Sequence, residues 1–218
     1  MYQKRVLENH NLTLWNESKY CGWPLYEGGP LVKEYLDRLL YVIDNATQEF
    51  ERVFAVRVDL RCSGLTGDIL SGNDAMERFK KALDSRMASY QQRRARQGKP
   101  VYRSTIRMVW ARELKDARTP HYHLLLLFNR EVFCSLGEYH SSKGSLMTMI
   151  LNAWCSAVGI PYHINPGLVH VPDNPEYFLN RSDSYVQMAD LFSRASYLCK
   201  VDTKCFGRGF QSFGSTRK

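Results

Sequence analysis

The sequence predicts an α+β fold, an antiparallel sheet with helices laid over one face and one additional helix near the C-terminus. Three observations carry this. "VFAVRVDLR" (Val53 to Arg61) alternates apolar and charged residues, the period of a strand. "LVKEYLDRLLYVIDNATQEF" (Leu31 to Phe50) sets Leu36, Leu39, Leu40 and Ile43 at helical spacing. From the first strand onward the segments follow the order β-α-β-β-α-β-α. With the middle strands joined as a hairpin, that order is the ferredoxin-like (RRM-like) plan plus the extra helix.

Taken in order, residues 1–30 are mixed and end in the turn-rich "YEGGP" (Tyr26 to Pro30), a break in the chain. The helix over 31–50 leads into the first strand. There Phe54, Val56, Val58 and Leu60 face one way, and Arg57, Asp59 and Arg61 the other. Such a strand belongs to a sheet covered on one side only, or covered on the other by a ligand. "SGNDAMERFKKALDSRMASYQQRRARQ" reads as a long helix with Asn73 or Asp74 as its N-cap. "YRSTIRMVWARE" (Tyr102 to Glu113) is the second strand, and the loop "LKDARTP" leads to the third, "HYHLLLLF" (His121 to Phe128). A helix over 144–158, a short strand in "GLVHVP" (Gly167 to Pro172) and a last helix from about Ser184 to Lys200 complete the plan. The expected division is an N-terminal arm and helix over 1–50, packed on a domain over 51–218 that carries the chemistry.

Composition narrows the function. A chain of 218 residues with 44% apolar content can bury a core without staples. It has no run of about 18 apolar residues and no signal-peptide core near Met1, so we expect no membrane partner and a cytoplasmic location. The six cysteines form no C-x-x-C pair, which fits reduced thiols rather than a zinc knuckle. Net charge is +8, concentrated in "QQRRARQGK" (Gln91 to Lys99) and "KCFGRGFQSFGSTRK" (Lys204 to Lys218). Basic clusters interleaved with Tyr and Phe suit a nucleic acid, although a solvated helix end and a basic tail would look the same. The candidate DNA contacts are Arg57, Arg61 and Arg107 on the charged sheet face and Lys204, Arg208 and Arg217 in the tail.

His121 and His123 are i and i+2 on a strand, so their imidazoles share a face. Glu113 ends the preceding strand, eight residues earlier, and the hairpin returns it beside them. Its parity places it with Arg107, Val109 and Ala111, opposite the core-facing Ile106, Met108 and Trp110. Two imidazoles and a carboxylate make a mixed N/O donor set for a divalent cation. Histidines at the wet end of a strand are the competing explanation. Leu125 and Leu127 continue the histidine face, so that face turns apolar past His123. We expect the last helix to pack there and bring Tyr197 to the metal. Tyr197 and Lys200, three residues apart, would share a side of that helix. A tyrosine hydroxyl can attack phosphorus when charge near it is stabilised; a core tyrosine followed by a surface lysine has the same spacing.

Glu113, then His121-Tyr122-His123, then Tyr197-x-x-Lys200 in this order resembles the HUH endonuclease superfamily of rolling-circle replication initiators, relaxases and related transposases. "FAVRVDLR", "PHYHLLLLF", "SLGEY", "GLVHVPDNPEY", "SYLCKVDTK" and "FQSFGSTRK" look like the inovirus-type replication proteins, a family that includes the YagK/YfjJ C-terminal domain of cryptic prophages. The resemblance covers residues 53–218, extending back toward Leu31. It implies that Glu113, His121 and His123 bind Mn²⁺ or Mg²⁺ at the scissile phosphate of single-stranded DNA at a replication origin. Tyr197 would form a 5′-phosphotyrosine and release a 3′-hydroxyl for a host polymerase, with a host helicase as a further partner. Lys200 would support the charge shift, and the reverse reaction would rejoin strands without ATP.

The pattern departs from the family in two places. An aromatic residue, Tyr122, sits between the histidines. No second tyrosine lies three or four residues from Tyr197, where Ser193, Arg194, Lys200 and Val201 stand. Tyr185, twelve residues earlier, is the reserve nucleophile. The competing functions are a non-catalytic ferredoxin-like binder of single-stranded DNA or RNA, and an inactive prophage remnant. Against the binder, the charged face carries His, Glu, Asp and Arg rather than paired aromatic residues.

Overall fold

A computed structural model describes residues 4–62, 74–114, 120–138, 144–161, 166–182, 185–202, 204, 206 and 209–217. The N-terminal segment forms short strands, β1 (Arg5–Val6), β2 (Asn9–Trp15), β3 (Lys19–Tyr20), β4 (Trp23–Pro24) and β5 (Leu31–Val32). They pair as two accessory sheets, β1-β2-β5 and β3-β4. Helix α1 (Lys33–Glu49) follows and buries Leu36, Leu39, Val42, Ile43 and Ala46, the face its spacing predicts.

The remaining elements are β6 (Arg52–Arg61), α2 (Ala75–Arg96), β7 (Arg107–Glu113), β8 (His121–Asn129), α3 (Leu146–Val158), β9 (Val169–His170), β10 (Glu176–Asn180), α4 (Tyr185–Ala195) and β11 (Phe213–Ser215). The main sheet runs β10-β6-β8-β7-β11, every neighbouring pair antiparallel. β9 and β10 share one edge of β6: β9 pairs with Asp59 and Leu60, β10 with residues 52–56. Numbering β6, β7, β8 and the β9/β10 edge as 1 to 4 gives the spatial order 4-1-3-2. Helix α2 connects the first and second of these strands, and α3 the third and fourth.

Helices cover both faces of this sheet: α4 packs on the histidine side, as Leu125 and Leu127 predict, and α1 joins it there, which the plan of helices on one face did not include. Phe54, Val56, Val58, Leu60, Tyr122, Leu124, Leu126 and Phe128 pack against α2 and α3. Val53, Ala55, Val109, Ala111, Leu125 and Leu127 pack against α1 and α4. β8 is therefore buried on both sides, which is why it reads as the unbroken run Leu124 to Phe128 rather than as an alternation. Each such leucine contributes about 1.5–3 kcal/mol of apolar burial, enough to hold a helix on either face. The charged side of β6 survives only toward its C-terminal end.

Four smaller expectations also change. Residues 102–106 carry no strand; β7 begins at Arg107. The last α-helix stops at Ala195, and Ser196–Cys199 continues as a 3₁₀ turn. Asp74 is the N-cap of α2 but makes no capping side-chain bond, and Asn73 lies outside the described residues. The predicted strand over 167–172 shrinks to β9, while β10 and β11 had no counterpart in the sequence reading. Helix α3 has conventional ends: the Ser145 hydroxyl accepts from the Thr148 N–H at 3.2 Å, and Gly159 closes it at φ +70°. Among the described residues, no helix is long and apolar enough to cross a membrane.

Candidate metal and nucleophile centre

Strand register builds the site. Across the β7–β8 hairpin Glu113 lies opposite His121 and Ala111 opposite His123. Across β6–β8, Asp59 lies opposite His123 and Arg61 opposite His121. Directly opposed residues share a face, so Asp59, Glu113, His121 and His123 gather at one end of the sheet, on its α1/α4 side.

Their contacts are close. The Glu113 carboxylate is buried, and its Oε2 lies 3.1 Å from His123 Nε2 and 3.7 Å from His121 Nε2. The donor atoms of Glu113, His121 and His123 all fall within 4.8 Å of one another. Ligands about 2.0–2.2 Å from one ion stand roughly 3–3.5 Å apart, so small rotamer adjustments bring this set to coordinating distance. On the other side of the ring, His123 Nδ1 meets Asp59 Oδ1 at 2.6 Å. Burial opposes ionisation of Asp59, but the His123 hydrogen bond and the charges of His123 and Arg57 outweigh it and hold the carboxyl below its usual range. An ionised carboxylate only accepts, so Nδ1 donates to Asp59, and Nε2, which donates to Glu113 when the ring is protonated, is the nitrogen free to ligate once that proton is lost. The carboxylate–imidazole–ligand arrangement fits a divalent cation.

Charge is managed from beneath. Lys204 Nζ lies 3.3 Å from Glu113 Oε1, its side chain fully buried. Burial pulls its pKa down against the pull of Glu113. Burial and His123 likewise lower the pKa of His121. For His123, burial lowers the pKa, but the hydrogen bonds to Asp59 and Glu113 raise it above the ordinary value.

The 3₁₀ turn after α4 brings in Tyr197. Its hydroxyl donates to Glu113 Oε2 at 3.4 Å, and its ring meets His123 edge-on at 5.1 Å. Burial, then the Glu113 charge and hydrogen bond, push the phenol pKa up to about 12. Lys200 caps the turn with its Nζ 4.9 Å from the Tyr197 ring centre. The break at "YEGGP" positions this turn from the other side. The Tyr26 N–H donates to Ser196 Oγ at 2.8 Å, the Tyr26 ring packs edge-on to Tyr197, and the Val201 N–H donates to the Pro30 carbonyl at 3.1 Å. The N-terminal segment therefore shapes the candidate centre.

The structure brings together Glu113, His121, His123, Tyr197 and Lys200. It separates others. Tyr185 starts α4 at the far end of that helix, 69% exposed, and is no reserve for Tyr197. Arg57 is buried, its Nη1 donating to the Leu124 carbonyl at 3.0 Å and Nη2 reaching Asp59 at 3.3 Å. Lys204 is buried as well, so neither is a surface contact for DNA. Arg107 is engaged by Glu49 at 2.6 Å. Arg61 and Arg217 are exposed, and Arg208 lies outside the described residues. Two participants carried no assigned role in the sequence, Asp59 and His170, whose Nδ1 lies 3.6 Å from Asp59 Oδ2, and Lys204 was expected on DNA rather than beside Glu113. Asp59 alone had a signal, its parity on β6.

The family model of the YagK/YfjJ C-terminal domain matches residues 24–216, from the segment before Tyr26 to the end of β11. The uncharacterized protein YfjJ of Escherichia coli K12 is 37% identical over 202 residues, 88% of this chain and 97% of that protein. The uncharacterized protein YagK of the same strain is 32% identical over 203 residues, with the same coverage. No solved structure matches the chain. With nearly its whole length aligned, the chain belongs to the YagK/YfjJ C-terminal domain family.

Proposed function

We propose that the protein is a metal-dependent, site-specific nickase and joining enzyme for single-stranded DNA, of the HUH endonuclease type. One observation carries the reading. The Tyr197 hydroxyl and both candidate imidazoles converge on the same oxygen, Glu113 Oε2, from two separate stretches of chain. The 4-1-3-2 strand order, with helices linking the first to the second strand and the third to the fourth, supports a ferredoxin-like core beneath it.

Glu113, His121 and His123 would hold Mn²⁺ or Mg²⁺, which when bound supplies Lewis-acid polarisation of the scissile phosphate. Asp59 orients His123, and Lys204 offsets part of the Glu113 charge. Tyr197 Oη forms the new bond to phosphorus as the P–O3′ bond breaks, giving a 5′-phosphotyrosine and a free 3′-hydroxyl. The proton lost by the phenol balances the one that the 3′-oxygen gains. Lys200, beside the Tyr197 ring, meets the charge at the phosphate. The reverse attack by a 3′-hydroxyl rejoins a strand. In its biological setting this chemistry starts rolling-circle replication of a phage or prophage element in the cytoplasm, at an origin served by host helicase and polymerase.

A non-catalytic single-strand binder of this plan would keep an open aromatic sheet face. Here α1 and α4 cover that face, leaving only its charged end. The test is incubation with Mn²⁺ and labelled single-stranded origin DNA, followed by a denaturing gel. A covalent adduct lost in Tyr197→Phe and in His121→Ala/His123→Ala supports the nickase. DNA binding with no adduct under any divalent metal would make the chain a binder or an inactive remnant.

A further inference from the structure

Among the described residues, a run of exposed cations lies at the end of the sheet away from the histidines. α2 closes at Gly98 (φ +65°), whose N–H returns to the Ala95 carbonyl while the Lys99 N–H returns to Arg94, both at 3.0 Å. The chain then crosses the end of β8. Asn129 Nδ2 donates to the Arg103 carbonyl at 2.9 Å, and the Asn129 N–H to Ser104 Oγ at 3.2 Å. These bonds hold Arg93, Arg94, Arg96, Lys99 and Arg103 on one rigid rim, all exposed except the half-buried Arg94.

Among the described residues, Arg93, Arg94, Arg96 and Lys99 have no carboxylate at ion-pair distance, and Arg103 reaches Glu49 only at 4.0 Å. Other arginines at the same end are neutralised: Arg52 by Glu131, Arg107 by Glu49 and Arg181 by Glu51. The helix dipole favours cations in the last turn of α2 by roughly 0.3–1 kcal/mol each, but it gives no reason for Arg103. Nor is the rim a stacking platform. Tyr90 lies against Phe133 and already carries the Arg93 and Arg94 guanidinium groups, 5.6 and 5.9 Å from its centre. Tyr102, 40% exposed between Lys99 and Arg103, offers a single open ring; several cations around one ring read a phosphate backbone rather than a run of unstacked bases.

We propose that this rim grips the phosphate backbone of duplex DNA, independently of sequence. The choice of DNA as the polyanion rests on the nickase reading; the surface itself does not. Asn129 is eight residues along β8 from His121, so the rim lies about 26 Å from the metal centre. At 3.4 Å per base pair that is about eight pairs, which places the rim on duplex flanking the strand offered to Tyr197.

The test uses the full chain in EDTA, so that no nicking intervenes, with fluorescence anisotropy on a labelled duplex of arbitrary sequence across a salt series. Arg93→Gln/Arg96→Gln/Lys99→Gln removes three phosphate contacts and should reduce the slope of log K against log[salt] by about 2.7. Between about 50 and 200 mM salt, wild type should lose about 40-fold more affinity than this variant. Lys4→Gln/Lys19→Gln/Lys81→Gln removes the same charge from exposed positions elsewhere and should leave the slope near wild type. Thermal melts confirm that both variants fold. The proposal is overturned if the rim variant keeps the wild-type slope, or if the control loses as much. It is also overturned if only binding to phosphatidylserine vesicles responds. Because neither metal nor cleavage enters, failure here leaves the nickase reading standing, and a missing covalent adduct leaves the rim standing.

Discussion

Replacing Glu113 by Gln keeps the shape of the side chain and removes one charge from the most buried part of the site. In the metal-free protein the immediate consequence falls on Lys204, whose fully buried ammonium loses the carboxylate 3.3 Å away. Removing one member of a buried pair costs about 3–5 kcal/mol. Lys204 can instead give up its proton, and from an ordinary lysine value that costs at most about 4.6 kcal/mol at pH 7. The two figures bracket the expected loss, which for a chain of this size lowers the melting midpoint by about 10 °C. With Lys204 neutral in the folded variant and charged when unfolded, the unfolded state binds more protons. Stability of the variant should then rise by about 1.4 kcal/mol per pH unit above neutrality, until the unfolded lysine itself titrates. Urea denaturation in EDTA at several pH values measures both effects. Glu113→Gln/Lys204→Met removes the stranded charge and should regain at least about 2 kcal/mol over the single variant. A Glu113→Gln protein within about 0.5 kcal/mol of wild type, or a double variant no better than the sum of its parts, would refute this account of Lys204.

Other consequences follow from the same geometry. Asp59→Asn takes the carboxylate from His123 Nδ1 and should weaken Mn²⁺ binding about 10–100-fold at unchanged stoichiometry, measured by calorimetry. The Asp59 and Glu113 hydrogen bonds outweigh burial and raise the His123 pKa. Its stabilising contribution in EDTA is therefore fully present below about pH 6.5 and is lost as pH rises through the raised folded value. Metal affinity should run the other way, increasing with pH over the same range because a ligating imidazole must be deprotonated. Calorimetric titrations with Mn²⁺ at about pH 6 and about pH 8 check the sign. Saturating Mn²⁺, at about a hundred times its Kd, should stabilise wild type by about 2.7 kcal/mol. Under the same conditions it should leave His121→Ala/His123→Ala unchanged.

What the sequence made legible was local. His121, His123 and Glu113 could be assembled from strand parity and a short hairpin loop, because the period of two and the loop length leave little freedom. The two-sided burial of β8 was also written in Leu124 to Leu127, which predicted the last helix on the histidine face but not α1 beside it. Long-range pairings were not legible. Asp59 reaches His123 only through the β6–β8 register, and Lys204 reaches Glu113 across 91 residues of chain with no pattern linking them. The end of α4 at Ala195 is likewise tertiary. Tyr197 to Cys199 continue a helical spacing, but Lys200 bridges Leu31 and Val201 bonds to Pro30, which turns the chain early. Arg57 illustrates the converse error. Its polar parity suggested a DNA-facing group, and the packing of α1 and α4 turned the same side of the strand into interior.

The central claim is that Tyr197 is the nucleophile of a Glu113–His121–His123 metal site. Protease mapping by mass spectrometry of the protein after reaction with single-stranded origin DNA and Mn²⁺ tests it most directly. One modified peptide is expected, carrying a 5′-nucleotide on Tyr197, and it should disappear when EDTA replaces Mn²⁺. A nucleotide on Tyr185 or any other residue, or the same adduct formed in EDTA, would contradict it.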